Sequence, residues 1–139
     1  MITDKETRLC KAQAVTTSTE YSDFAYDTAD GSDINGSGAL ILYVNVGTAF
    51  TGGTSLDVKY VNSASADLTS LVVLASTGAI VEASLTAGAR LLRLRVPANT
   101  LRYVGLQFVT VGTHSTGTIN AGLVRDADTN RVYSAETGF

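Results

Sequence analysis

The residues able to do chemistry in this chain are few, and they do not assemble into a reactive set. His114 is the single histidine, so neither a histidine metal cluster nor a histidine pair can form. It lies in GTHSTG, a run of small polar residues, and reads as an exposed loop position. A Ser-His-Asp triad needs a serine presented on a tight turn, and no G-x-S-x-G sequence supplies one. The segment from Glu20 to Asp33 holds five acids (Glu20, Asp23, Asp27, Asp30, Asp33) and no base, which invites a calcium reading. Fitting Asn35-Gly36 to positions five and six of an EF-hand loop puts Gly31 at position one and Leu42 at position twelve, neither a usable ligand. Cys10 is the single cysteine, which excludes an internal disulfide and reads as a small, partly buried hydrophobe. No phosphate-cradling glycine motif is present. The expectation is a protein that is not an enzyme, with no cofactor and no metal.

The informative charges are arginines. From Ala83 to Arg125 every charge is positive, and Arg93 and Arg95 alternate with Leu92, Leu94 and Val96. That period of two is a half-buried strand with its guanidiniums outward. After Pro97-Ala98-Asn99-Thr100 the alternation resumes, with Val104, Leu106 and Phe108 on one side and Tyr103, Gly105 and Gln107 on the other. The spacing predicts a long β-hairpin spanning Leu85 to Val111. Arginines on an outer strand face are often only a guard against edge aggregation. Here the acid-only and base-only segments can also pair, within the molecule or between copies.

The elements needed to position these residues are strands. Ala12–Thr17, Ala39–Val46, Ser55–Val61, Leu68–Ala75, Ala79–Ala83 and Gly117–Val124 join the two strands of the arginine hairpin. Leu40, Leu42, Val44 and Val46 share a face, as do Leu56, Val58 and Tyr60, and Ile119, Ala121 and Leu123. Leu68–Ala75 is nearly continuous apolar sequence and reads as a strand covered on both sides. The cluster DGSDINGSG, 30–38, is turn chemistry. With about eight strands and no helical periodicity, the fold class is all-β, an antiparallel two-sheet sandwich of jelly-roll type. Residues 1–18 read as an N-terminal arm and first strand, 19–124 as the sandwich, and 125–139 as a polar tail.

Composition bounds the partners. A chain of 139 residues buries roughly two-thirds of its unfolded surface, enough for one domain. A net charge of -3 argues against nucleic acid, and no apolar run approaches the roughly 20 residues of a membrane span or the form of a signal peptide. Synthesis in the cytoplasm is expected.

Three stretches, MITDKETRLCKAQAVTTS, SLTAGARLLRLRVPANTLRYVGLQFV and TINAGLVRD, resemble the small cement (decoration) proteins of podovirus-type bacteriophage capsids, as in the Bordetella-phage group. The resemblance spans residues 1 to about 126. It implies a jelly roll on the outer surface of an HK97-type shell in the virion. The implied partners are the major capsid protein and a second copy of the chain, a homodimer in preference to a trimer, with no nucleic acid and no membrane. Residues 1–18 and 125–139 are then expected to reach the shell. The candidate capsid or inter-subunit contacts are Lys5, Arg8, Lys11, Arg93, Arg95, Arg125, Arg131, Tyr133 and Phe139. The competing reading is a jelly-roll carbohydrate-binding module. Such modules stack sugars on aromatic platforms, whereas this chain lacks tryptophan and disperses its six tyrosines.

Overall fold

A computed structural model describes residues 5–29, 40–97 and 100–125. The strands are β1 (Arg8–Ala14), β2 (Thr19–Tyr21), β3 (Tyr26–Asp27), β4 (Ile41–Val46), β5 (Thr51–Ser63), β6 (Val72–Ser76), β7 (Ile80–Val81), β8 (Arg90–Arg95), β9 (Tyr103–Thr116) and β10 (Thr118–Val124), with one 3₁₀ turn at Glu82–Ser84. They form two antiparallel sheets. Sheet A has the order β1-β10-β4-β8, and sheet B the order β2-β9-β5-β6, with β3 also on β9 and β7 also on β5. Because the short segments share positions, ten strands fill eight places, four per sheet. Sequence neighbours mostly fall in opposite sheets, which is the double Greek key of a jelly roll.

The alternating faces meet as the sequence requires. Leu42, Val44 and Val46 of β4, Ile119, Ala121 and Leu123 of β10, Leu56, Val58 and Tyr60 of β5, and Val104, Leu106 and Phe108 of β9 are all buried in one core. Side chains of the size of Phe108 or Leu42 each contribute roughly 1.5–3 kcal/mol by leaving water. Cys10 is wholly buried among them, and burial pushes its thiol far above the ordinary range, so it stays protonated.

Three expectations are corrected. The arginine strand and the strand after it do not form a hairpin: β8 pairs with β4 and β9 pairs with β5, so the chain crosses from one sheet to the other. Val96 N–H still bonds Leu40 O on sheet A, and Arg102 O already accepts from Thr28 on sheet B. Alternation fixes which side chains face the core, and both walls of a sandwich satisfy it equally. The first strand begins at Arg8, ahead of the expected Ala12, because an edge strand tolerates Arg8 and Lys11. The apolar run at Leu68–Ala75 is not covered on both sides; β6 forms an edge of sheet B, and Val72 and Val73 are exposed.

Candidate functional site

The outer face of sheet A gathers the arginines that the sequence singled out. Side chains at odd positions of β4 point away from the core, and each has a partner on both neighbouring strands. Three rows result: Val124–Ile41–Arg95, then Arg8–Gly122–Tyr43–Arg93, then Asn120–Asn45–Arg90. Each row ends in an arginine of β8, and no acidic residue stands in any of them.

The middle row is the most developed. Tyr43 is 2% exposed and lies across Gly122, where an added Cβ would sit 3.1 Å from the phenol oxygen and from Cε1. A Cβ there would press on the ring, which must give by a few tenths of an ångström to admit it. The Arg93 guanidinium stands 5.7 Å from the Tyr43 ring centroid, and its Nη1 donates to Leu92 O at 3.3 Å. Burial pushes the Tyr43 phenol up to about 12, against the opposing pull of Arg8 and Arg93. The phenol therefore stays neutral and works as a platform for the cations.

In the third row the polar atoms are amides. Asn120 Oδ1 accepts from Ala12 N at 2.7 Å, holding the irregular turn of β1 where Ala12 adopts a φ of 48°. Asn45 is wholly buried, and neither its Oδ1 nor its Nδ2 has a hydrogen-bond partner; Asn120 Nδ2 has none either. Buried amides without partners are uncommon, and here they lie beneath the surface beside the arginines.

Of the predicted contact residues, the fold brings Arg8, Arg93 and Arg95 onto this face. Lys5, Lys11 and Arg125 are exposed, Lys11 on β1 and Arg125 just after β10. Arg131, Tyr133 and Phe139 lie outside the described residues, as do 31–39 of the calcium-like segment. Away from this face, the acid-only segment meets the base-only segment at Asp27. Arg102 Nε and Nη2 donate to Asp27 Oδ1 and Oδ2 at 2.9 and 3.0 Å, and this bidentate partner holds the Asp27 carboxyl below its usual range.

His114 is a correction. It is not an exposed loop residue: it lies in β9 and is 1% exposed. Its Nδ1 is 3.2 Å from Glu82 Oε2, its Nε2 is 3.4 Å from Ser55 O, and its ring meets Phe50 edge-on at 5.0 Å. Glu82 Oε2 also accepts from Gly53 N, and a Cβ at Gly53 would fall inside the imidazole. The cluster ties the turn after β7 to the β5–β9 pair. A ring sealed this way touches no solvent, so its geometry serves the fold. The signal was present in the sequence, because Leu106, Phe108 and His114 share the parity of one strand face; the Gly/Thr/Ser surroundings masked it.

No curated protein gives a significant match to the chain. Among protein families, the model of Bbp16 matches residues 9–126, from the first strand of sheet A to the end of its neighbour β10. With that match covering most of its length, the chain belongs to the Bbp16 family.

Proposed function

We propose that this chain is a structural virion protein that binds the outer surface of an HK97-type phage capsid and cements adjacent capsomers. The name of its family suggests a Bordetella phage protein. The observation that carries the reading is the outer face of sheet A, where three parallel rows end in Arg90, Arg93 and Arg95 and flank a buried tyrosine. Such a face suits an acidic, extended element of a capsid subunit, whose carboxylates the exposed Arg90 and Arg95 guanidiniums take in bidentate pairs.

A cement protein works by binding one lattice state in preference to another, so it stabilises that state by mass action without a chemical step. The rigid sandwich spaces its contacts, and two copies acting together convert modest single contacts into avidity. The function needs no cofactor, metal or nucleophile. The major capsid protein and a second copy of the chain are the partners.

The test is co-sedimentation of the purified chain with expanded, undecorated phage heads and with unexpanded proheads, followed by heating. Saturable binding to expanded heads with a raised disruption temperature is expected. Binding to neither particle overturns the reading, and a positive glycan array in that case would favour the carbohydrate-binding alternative.

A further inference from the structure

The segment from Leu68 to Val81 runs fourteen residues without a charge, between Asp67 and Glu82. It contains β6 and β7, which together line one edge of sheet B along β5. Val72, Val73 and Val81 are 53, 45 and 60% exposed, which places three large apolar side chains on this edge. Apolar sequence of this density belongs to strands with neighbours, and among the described residues β6 has a strand on one side only.

The other edges of the sandwich are guarded. On sheet A, β8 carries Arg90, Arg93 and Arg95, and β1 carries Arg8 and Lys11, a left-handed Ala12 and two register shifts. On sheet B, β2 and β3 are three and two residues long, bear Glu20 and Asp27, and are followed or preceded by left-handed Ser18 and Ala29. These are the usual devices against edge pairing. The β6 edge has one register shift, where Leu74 turns toward the core, and is preceded by left-handed Leu68 and Ser70, but it alone carries no charge at all.

We propose that the β6 edge is the surface through which two copies of this chain pair, antiparallel about a two-fold axis, joining their B sheets into one continuous sheet. This deepens the pairing in the function proposed above and rests on that part of it, independently of how the shell is bound. A second copy is the occupant because an antiparallel edge is its own complement: a two-fold axis sets each unpaired N–H of β6 against a C=O of the other β6. The neutrality of 68–81 points the same way. A strand whose charges share one sign gathers like charges when laid against its own copy, whereas this one brings none. Pairing gives Val72 and Val73 cross-strand neighbours and turns β6 into an interior strand.

The experiment measures molar mass by light scattering, over a hundredfold range of concentration, for the full chain, for Val73→Lys and for Val111→Lys. Val111 is 55% exposed on β9 and lies off this edge, so its variant controls for an added surface charge. The expected result is a dimer for the parent chain and for Val111→Lys, and at least a tenfold weaker dimer for Val73→Lys with an unchanged far-ultraviolet spectrum. Single cysteines placed along 72–76 should form disulfide-linked dimers under mild oxidation, and a cysteine at 111 should not. A parent dimer that survives Val73→Lys and links at 111 overturns the β6 assignment while leaving pairing intact. A parent chain that is monomeric throughout overturns the pairing itself, and head binding then decides the cement reading separately.

Discussion

The outer faces of the two sheets handle charge in opposite ways. On sheet B the charged groups find partners on their own sheet: Lys59 Nζ lies 3.8 Å from Asp57 Oδ2, Ser76 Oγ donates to Asp57 Oδ1 at 2.7 Å, and Arg102 clasps Asp27. Near one end of that sheet the carboxylate of Glu82 is shared between His114 and a backbone N–H. On sheet A the arginines stand in acid-free rows around a buried phenol. Two faces of the same architecture thus divide the work. Local pairing engages charges of sheet B in holding loops to strands, and the described rows of sheet A gather arginines at one edge.

The comparison breaks most visibly at His114. Replacing it with alanine removes a buried ring, leaves a void beside Phe50 and takes a partner from Glu82. The expected loss is about 3 kcal/mol, or a fall of roughly 10 °C in Tm. Head binding measured well below that Tm should not change. A variant that unfolds at the parent temperature would show that the cluster does not hold the fold.

On sheet A the expectation is reversed. Arg90→Glu combined with Arg95→Glu, both exposed, should weaken binding to expanded heads by about thirtyfold, corresponding to roughly 2 kcal/mol, with Tm nearly unchanged. Asp57→Asn on sheet B should leave binding as it was. Equal binding by both variants would remove sheet A from the interface.

The smallest effect comes from Tyr43, whose phenol titrates near 12 in the folded chain against an ordinary value near 10. The unfolded chain releases this proton first, so the contribution to stability is intact below pH 10 and is lost as pH rises toward 12. By pH 11 Tyr43→Phe should lose about 1 kcal/mol less than the parent, the remaining pH dependence coming from buried Cys10 and Tyr60. Urea midpoints across pH 8–11 measure it, and parallel pH curves for the two proteins would contradict the burial of this ring.

Much of the sandwich was legible because a strand writes its two faces at alternate positions. Leu42, Val44 and Val46 or Leu56, Val58 and Tyr60 could only be inward rows, and all six are fully buried. The arginines of β8 could be placed on an outer face for the same reason. His114 was misplaced because local composition was allowed to override parity, and Leu68–Ala75 because an apolar run does not say whether its cover comes from the same chain.

The sequence by itself determined that this chain is an antiparallel β-sandwich with arginines facing outward, since alternation and turn chemistry act over a few residues and are written locally. Only the tertiary structure decided that β8 and β9 belong to different sheets, that Arg8, Gly122, Tyr43 and Arg93 form a single row, and that Glu82 reaches His114. Those pairings join residues up to 114 positions apart, and strand partners at such distances are chosen by which sheet edges and core faces remain to be satisfied.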